Sequence, residues 1–518
     1  MTAFLQHFGA FVIGVLHGFD RLRFRGSKRQ LCNAAGAASY LGYIGVKLDD
    51  YKTYAKVTTG TLCQAIETEA TAAGMYRYLN DLQTSKEETA LALAAKAGRT
   101  EGRIAVLGCV EPCQVLQVRK NKETGWLEPR IEHSKCMHYY HYYLDRQYGL
   151  RYTRLQSWFP FTMHIGLNGR DWLAQQMIAA GLGYQKQDNC FTWVEDWPAA
   201  QHLLDQQLTT CWSALLEGWV AESHPWLANL LPCPVPYYWA AQEAEYATDI
   251  VFATPEDLQR IYPRLVHHAY ATMRSTDVLR YMGYRVRQDG YPRLDMAGEV
   301  TTTIKQLLEG TCVKHRYLEN LLKMYDKAWQ VLRLENLLLN VRDFKVFRTR
   351  EGDPDGPQEY LRLRKGVADM HRRAEVGSKI NGRYAEGLAT VMDQTPLGEL
   401  TKDLGQATQW KGRQVRPLNP WAEEDVKLLE AVSRGEFALN GLRNRDLRVL
   451  LFGEAATPVE ERRQSAKVTR LLRLLRAHHV IQKVPKTHRY QITATGRVQL
   501  GALLAARRTT TEALSQAD

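Results

Sequence analysis

Polar and apolar residues alternate with a period of two along several stretches of this chain, which predicts strands of an antiparallel sheet. The densest pattern lies within residues 313–348, where two apolar runs flank a short polar break, as in a hairpin. Alternation groups the polar side chains on shared faces: Lys323, Tyr325 and Lys327 in the first run, Arg333 and Glu335 in the second. A buried charge is costly unless it is paired. The stretch therefore predicts either a solvated charged face or a phosphate site with a metal held by Asp326 and Glu335.

A second hairpin is predicted between Met137 and Phe161, in the part of the chain richest in aromatic residues. Its return strand carries Arg151 and Arg154. Rings that stack on bases, interleaved with guanidiniums that meet phosphates, are how single-stranded nucleic acid is bound. A tyrosine-rich sheet packed under helices gives the same pattern, because aromatic residues suit strands generally. Both interpretations stay open, and a catalytic tyrosine could come from this hairpin.

Capping and breaking residues predict further elements. The amino-terminal strand pattern is expected to turn at residues 18–20, and the apolar run 104–119 is expected to break at Pro112. Ser85 begins a capping-box pattern for a helix. Asn168 is expected to cap another helix, which glycine ends.

The carboxy-terminal part of the chain gives the clearest fold signal. Helical spacing predicts helices at 423–434, 444–451 and 460–477, then strands at 480–484 and 489–493, then a last helix from Thr495. Helices followed by a two-stranded wing resemble the winged helix-turn-helix domains of bacterial transcription regulators, here over residues 421–508. The resemblance implies that the third helix enters a DNA major groove while the wing touches backbone or minor groove.

Charge favours nucleic acid as the partner of this carboxy-terminal part. Residues 441–518 hold 15 Lys and Arg against 6 Asp and Glu, which accounts for most of the chain's net charge of +12. The candidate DNA contacts are Arg462, Arg463, Lys467, Arg470 and Arg473 on the third helix, and Lys486, His488 and Arg489 on the wing. Ordinary solvated charge is the alternative explanation.

The central strands resemble a second family. Tyr-Asp-Lys at 325–327 followed by Leu-Arg-Leu-Glu at 332–335 is similar to part of the initiator proteins of rolling-circle plasmids and filamentous phages. In that family the domain nicks single-stranded DNA with a tyrosine and a metal ion. The resemblance implies a body that engages nucleic acid. Its candidate contacts are Arg151, Arg154, Lys323, Tyr325, Lys327 and Arg333.

Acidic residues near strand starts supply a candidate metal site, because carboxylates there often hold Mg²⁺ together with substrate phosphates. Asp249 lies in a short strand-like run, and Glu299, Asp326 and Glu335 could complete the set. These four are the candidate catalytic residues, with Asp249 and Glu335 as metal ligands and Mg²⁺ or Mn²⁺ as the cofactor if the chain is an enzyme. The sequence lacks a Gly-x₄-Gly-Lys-Ser/Thr phosphate loop, which argues against an ATP-driven motor.

Composition sets the broad class of the protein. Its 518 residues are 45% hydrophobic and 24% charged, which are globular values. A sequence pI near 9.1 favours a polyanionic partner. No secretion signal and no apolar stretch long enough for a bilayer is visible, so we expect a cytoplasmic protein without a membrane partner.

The nine cysteines are odd in number and scattered, which does not indicate a disulfide framework. Reduced thiols of a cytosolic protein fit better. Cys109, Cys113 and Cys136, with His133 or His138, could in principle supply zinc ligands. Packed free thiols are the alternative.

The chain as a whole resembles a family of uncharacterised bacterial proteins. The shared features are Gly-Phe-Asp-Arg at 18–21, Trp-Phe-Pro-Phe at 158–161, Asn-Gly-Arg at 168–170, the Tyr-Asp-Lys strand and the winged-helix tail. The resemblance implies this layout and no activity.

These observations predict an α+β fold: a body rich in antiparallel β-hairpins with helices, joined to a winged helix-turn-helix domain. The expected units are 1–235, 236–394, a connector at 395–420, the winged helix at 421–508 and a tail at 509–518. The predicted function is nucleic-acid binding, with DNA favoured, for a mobile or replicating element. The winged helix would locate a duplex site and the body would engage a single strand. The alternatives are a metal-dependent DNA-nicking initiator or transposase-like nuclease, and a transcription regulator whose body senses a ligand or partner.

Overall fold

The structure is a computed structural model, and helices and antiparallel strands alternate along it, which confirms the predicted α+β class. The described residues are 1–81, 83–284, 299–307, 310–350, 353, 355–390, 397–434, 437, 441–485, 487–507 and 509. The strands are β1 (Val12–Ser27), β2 (Tyr76–Tyr78), β3 (Gly102–Lys120), β4 (Leu127–Asp145), β5 (Gly149–Gln156), β6 (Met163–Asn168), β7 (Tyr184–Gln187), β8 (Cys190–Val194), β9 (Tyr238–Phe252), β10 (Val300–Leu307), β11 (Gly310–Tyr317), β12 (Asn320–Lys327), β13 (Val331–Leu337), β14 (Lys345–Arg348), β15 (Glu359–Arg362), β16 (Thr408–Trp410), β17 (Arg413–Val415), β18 (Ile481–Lys483) and β19 (Tyr490–Ile492).

Helices connect and cover these strands. They are α1 (Thr2–Phe8), α2 (Ala34–Tyr43), α3 (Tyr51–Ala72), α4 (Lys86–Lys96), α5 (Gly169–Ala180), α6 (Trp197–Leu204), α7 (Gln206–Thr209), α8 (Trp212–Ser223), α9 (Pro255–His267), α10 (Ser275–Met282), α11 (Met370–Ala389), α12 (Leu397–Leu400), α13 (Glu423–Val432), α14 (Asn444–Phe452), α15 (Pro458–Ala477) and α16 (Ala494–Ala506).

Eleven strands form one large sheet in the order β10-β11-β12-β13-β9-β1-β6-β5-β4-β3-β2. Its neighbouring strands are antiparallel except β2 and β3, which run parallel. The long strands β1 and β9 pair at its centre, and each lies beside the last strand of a meander, β6 or β13. The sheet therefore continues across the boundary expected after residue 235.

Hydrophobic clusters fix the helices on the sheet. One cluster joins α2, α3 and α8 to the half of the sheet around Tyr139. Another joins α1, α9, α10 and α11 to the half around Leu334. A smaller cluster seats α5, α6 and the β7–β8 hairpin over Leu16 of β1. This last group covers the central face on which Leu16 lies opposite Asp249 of β9.

Several local predictions are confirmed. The Ser85 side chain caps α4, and Asn168 caps α5, which ends at the left-handed residue Gly181 (φ 68°). The aromatic hairpin is β4–β5. The central hairpin is β12–β13, and it pairs Lys323 with Glu335.

Two predicted breaks are wrong. β1 continues through residues 18–20 and absorbs them in a register shift between Phe19 and Leu22. β3 continues through Pro112, which lies opposite Lys135 of β4. The proline is tolerated because β2 pairs only with residues 106–108, so this part of β3 is an edge.

The carboxy-terminal elements follow the sequence prediction within a few residues. The helices α13, α14 and α15 precede the β18–β19 hairpin, and α16 follows it. Leu442, between α13 and α14, exchanges backbone hydrogen bonds of 2.8 and 2.9 Å with Tyr490 of β19. A shared apolar core that includes Leu428, Leu447 and Leu472 holds the unit together.

Candidate functional site

A cluster of charged side chains lies on the central sheet face, on the side covered by α5 and the β7–β8 hairpin. Its members are Asp20 and Arg21 on β1, Glu245 and Asp249 on β9, Lys323 and Tyr325 on β12, Arg333 and Glu335 on β13, and Arg170 on α5. Strand register brings them together, since Arg333 lies opposite Asp249 and Glu335 lies opposite Lys323. Residues four apart in a strand share a face, which puts Glu245 on the same face of β9 as Asp249.

Arg333 is fully buried and bonds two carboxylates. It donates to Asp249 at 2.5 and 2.8 Å and to Asp20 at 2.8 Å. Arg170 donates to Asp249 at 2.9 Å. Burial opposes the ionisation of Asp249, but the two guanidiniums outweigh it and lower the pKa of this carboxyl. Asp249 is therefore a fixed anion between two arginines.

Glu335 is the second buried anion of the cluster. It accepts hydrogen bonds from the Tyr325 hydroxyl and from the Lys323 ammonium, the latter at 2.5 Å. Burial raises the pKa of Glu335, but the Lys323 charge and these two hydrogen bonds lower it by more, so the net shift of the pKa is downward. Burial also raises the pKa of Tyr325 well above its usual value, and Glu335 adds to the rise. At neutral pH Tyr325 is therefore a neutral hydroxyl donor and not a phenolate.

Three carboxylates, Asp20, Glu245 and Glu335, form what we call the carboxylate trio. Each places an oxygen within 4.8 Å of the others, and all three are buried. Burial raises the pKa of Asp20 to about 6, with Arg333 opposing the rise and Glu335 adding to it. Oxygen ligands at this spacing suit a hard cation such as Mg²⁺ or Mn²⁺.

Lys323 is paired with two members of the trio, and Asp20 is instead bonded to Arg333 and Asn189. Its ammonium lies 2.5 Å from Glu335 and 3.3 Å from Glu245, and Arg21 lies 2.7 Å from Glu245. The Lys323 side chain is 17% exposed and that of Arg21 54% exposed, so this is the open side of the cluster. A divalent ion bound to all three carboxylates would have to replace Lys323 at Glu245 and Glu335 and share Asp20 with Arg333 and Asn189.

Basic side chains continue from the cluster across β11 and β10. We call Lys305, Lys314, Arg316 and Lys323 the basic strip, because strand register puts them on one sheet face. Lys314 forms no ion pair with any residue that the structure describes. Burial lowers the pKa of Lys314, and Lys323, Lys305 and Arg316 lower it further. Crowded like charges beside a carboxylate cluster would be relieved by a bound anion such as a phosphate.

The structure separates the four predicted catalytic carboxylates. Asp249 and Glu335 lie in the cluster, but only Glu335 belongs to the carboxylate trio. Glu299 is exposed immediately before edge strand β10. Asp326 faces the other side of β12, where its Oδ1 is buried without a hydrogen-bond partner among the described residues. Burial raises the pKa of Asp326 to about 6.

Most nucleic-acid contacts predicted in the body are engaged in internal ion pairs. The pairs are Arg151–Asp145 at 3.0 Å, Arg151–Glu222 at 2.5 Å, Arg154–Glu111 at 2.6 Å, Lys327–Asp188 at 3.0 Å and those of Arg333 with Asp249 and Asp20. A cation that is both buried and paired cannot meet a phosphate without leaving an uncompensated charge behind. Lys323 is also paired, with Glu245 and Glu335, but it remains partly exposed and is the predicted cation that joins the basic strip.

The aromatic hairpin is packed on both faces. Tyr139, Tyr142 and Tyr143 are buried, as is His141. Tyr140 is half-buried, and its hydroxyl donates to Glu111. These rings form part of the sheet core and are not available to stack on bases.

The predicted contacts on the third carboxy-terminal helix are exposed, unlike the predicted contacts in the body. Arg462, Arg463, Lys467, Arg470 and Arg473 are all exposed on α15. No ion pair joins any of them to another residue in the described part of the chain. His488 is exposed, Arg489 lies over the Tyr360 ring at 4.3 Å, and Lys486 falls outside the described residues.

Sequence reasoning missed Asp20, Arg170 and most of the basic strip. Gly18, two residues before Asp20, indicated a turn, and Arg170 lay in a helix-capping motif. A usable signal for the strip was present, since Lys305, Lys314 and Lys323 recur nine residues apart in successive short strands. Successive antiparallel strands of equal length bring residues at this spacing onto one face of the sheet.

Within the described ranges, no helix is long and apolar enough to cross a membrane. Comparison of the chain with protein-family models gave no match, and neither did comparison with curated proteins or with solved structures.

Proposed function

We propose that this chain binds duplex DNA through its carboxy-terminal unit, residues 421–508, acting as a winged helix-turn-helix. The observation that carries the proposal is the exposed basic face of α15, whose cations have no ion-pair partner among the described residues. Arg463, Lys467, Arg470 and Arg473 recur at spacings of three and four, which places them on one side of the helix. Unpaired cations on one helix face suit phosphate and base-edge contacts in a major groove.

The arrangement of the elements supports the same proposal. A helix, a bridging residue, two helices and a two-stranded hairpin follow one another, as in winged helices. Side-chain hydrogen bonds fix α14 against α15: Asn444 donates to the Ser465 carbonyl at 3.0 Å and to the Thr469 hydroxyl at 2.9 Å. Arg448 of α14 pairs with Glu461 at 2.9 Å, which neutralises an acidic residue near the start of α15. The basic face is thereby held in a fixed orientation.

Binding of the full chain to labelled duplex DNA across a salt series tests the proposal. Arg463→Gln with Arg470→Gln should weaken binding at least about tenfold and should reduce the salt slope by about one for each phosphate that is no longer neutralised. Arg146→Gln is the matched control, since its side chain is 83% exposed and lies in the body. Equal affinity and slope in wild type and double variant would remove α15 from the interface.

A second function is favoured by the carboxylate trio and the basic strip together: metal-dependent cleavage of a phosphodiester. Asp20, Glu245 and Glu335 would hold the ion, and the strip would hold the phosphate backbone beside it. The ion would supply charge neutralisation and an activated water. The raised pKa of Tyr325 keeps its hydroxyl protonated, which makes it a poor nucleophile. Its role would instead be to orient Glu335 by donating a hydrogen bond. The link to a mobile or replicating element stays a prediction from the central strands.

Incubation of single-stranded and duplex DNA with the full chain and Mn²⁺ tests this second function. Nicking should depend on the ion and should fall at least about a hundredfold in Glu335→Gln, which removes a ligand of the trio. Glu299→Gln, an exposed carboxylate outside the trio, is the control. Cleavage that persists in Glu335→Gln would come from a different site or from a contaminant.

A further inference from the structure

Two cysteines and a histidine meet on the β3–β4 hairpin, away from the charged cluster. Cys113 lies on β3, and Cys136 and His138 lie on β4. Register places Glu111 opposite Cys136, so alternation turns Cys113 toward the same face. The two Sγ atoms are 3.3 Å apart, and a ring nitrogen of His138 lies within 4.8 Å of the thiols.

The surroundings of His138 suit a metal ligand. The residue is fully buried. Its Nδ1 lies 3.1 Å from the carbonyl oxygen of Cys136, and its Nε2 is buried with no hydrogen-bond partner among the described residues. When Nδ1 carries the proton and donates to a backbone carbonyl, Nε2 presents a lone pair. This tautomer suits coordination of a metal through Nε2, with Nδ1–H held by an outer hydrogen-bond acceptor.

We propose that Cys113, Cys136 and His138 bind one zinc ion, with a water molecule as the fourth ligand. Thiolate and imidazole are the donors that Zn²⁺ prefers. With Zn–S bonds of about 2.3 Å, a tetrahedral ion separates its sulfurs by about 3.8 Å, about 0.5 Å more than the 3.3 Å found here. Two thiolates also cancel the charge of Zn²⁺, so the filled site adds no net charge to this half-buried face.

A disulfide explains the same contacts less well. It would bring the two sulfurs to about 2.05 Å and would still leave the buried Nε2 of His138 without a partner. A metal ion accounts for all three side chains at once. A bond between the two thiols would account only for the contact between Cys113 and Cys136.

The position of the site suggests a structural role. β5 pairs with β4 only from His138 onward, so residues 127–136 of β4 have β3 as their strand partner in the described structure. A two-stranded ribbon is marginally stable by itself. A metal bound to Cys113, Cys136 and His138 would clamp this ribbon where it leaves the sheet.

Metal content of the purified full chain, loaded with Zn²⁺ and then dialysed, is the first test. We expect about one zinc per chain, and cobalt substitution should give thiolate-to-cobalt charge-transfer absorption with the strong visible bands of a tetrahedral site. Cys113→Ser, Cys136→Ser and His138→Gln should each lose the ion. Cys211→Ser, which alters an exposed thiol elsewhere, should keep it.

Hydrogen exchange of the wild-type chain provides a readout that does not depend on any variant folding. Chelation should speed amide exchange in residues 127–136 relative to the rest of β4. Wild-type chain that retains no zinc would overturn the proposal. Retention in both cysteine variants would do the same, as would a Cys113–Cys136 disulfide found by peptide mass spectrometry in metal-free protein.

Discussion

Arg333 and Asp249 lie directly opposite each other on β13 and β9, and hydrogen bonds of 2.5 and 2.8 Å join them. Neither side chain is more than 1% exposed. The same guanidinium reaches across to Asp20 on β1. One arginine therefore links three neighbouring strands at the centre of the sheet and balances charges that would otherwise be buried alone.

Removing Arg333 should destabilise the body severely. Arg333→Leu leaves Asp20 and Asp249 buried without this partner, and breaking a buried pair costs about 3–5 kcal/mol. Urea unfolding gives the free energy. Arg146→Gln breaks an exposed pair with Glu101 and should cost less than about 1 kcal/mol. Similar losses in the two variants would mean that the central network contributes no more than a surface pair.

Asp326 should weaken the fold at neutral pH. Burial raises its pKa to about 6, so the folded state holds the proton at pH values where the unfolded chain has released it. Stability contributed by this group therefore falls as pH rises from about 4 to 6 and then levels off. Asp326→Asn should gain about 1–2 kcal/mol at pH 8, after allowance for solvent screening, and should match wild type below pH 4.

Urea unfolding of wild type and Asp326→Asn across pH checks this dependence. A variant that is less stable than wild type at pH 8 would show that the carboxylate makes a favourable contact there. That outcome would also restore Asp326 as a candidate functional residue.

The sequence pattern predicted the strand faces of this site well. Alternation alone put Arg333 with Glu335 and Lys323 with Tyr325, and register then brought the two pairs together. Alternation works here because strand geometry fixes which side chains share a face. It could not show that β9 and β1 lie beside this hairpin, since both are distant in the chain.

Asp20 and Arg170 were not predicted because their roles depend on contacts that local sequence does not show. Asp20 follows a glycine and a phenylalanine, a combination that indicated a turn, but a register shift keeps β1 extended. Arg170 fits a helix cap by its local sequence, and its bond to Asp249 arises only from tertiary packing. The carboxy-terminal helices were better predicted because their spacing and caps are local signals.

Asn381 should be the main polar link between α11 and the sheet. Its amide donates to the carbonyl oxygen of Leu334 at 2.9 Å and to that of Tyr246 at 3.2 Å, and its oxygen accepts from Asn336 at 2.8 Å. Asn381→Ala should cost about 2–4 kcal/mol, because several buried groups lose partners together. Lys379→Ala, which breaks an exposed pair on the same helix, should cost less than about 1 kcal/mol.

Thermal or urea unfolding compares the two helix variants. Equal costs would indicate that water enters the Asn381 site and replaces its hydrogen bonds. Fully buried donors and acceptors with good geometry make that outcome unexpected.

Lys323 should compete with a divalent ion for the carboxylate trio. Its ammonium lies 2.5 Å from Glu335 and 3.3 Å from Glu245, so an ion must displace it. Lys323→Gln removes this competing ammonium and leaves Glu245 and Glu335 without its compensating positive charge. Affinity for Mn²⁺, measured by titration calorimetry or electron paramagnetic resonance, should rise at least about tenfold, because charge interactions at this distance are large outside bulk water.

Lys305→Gln is the matched control for this experiment. It removes an exposed lysine of the basic strip two strands away, where solvent and salt screen the charge, so Mn²⁺ affinity should change by less than about twofold. Bound Mn²⁺ should also stabilise Lys323→Gln more than wild type, because binding energy adds to folding free energy. Unchanged or weaker Mn²⁺ binding in Lys323→Gln would mean that Asp20, Glu245 and Glu335 form a structural ion-pair network, and the case for metal-dependent cleavage would fall with it.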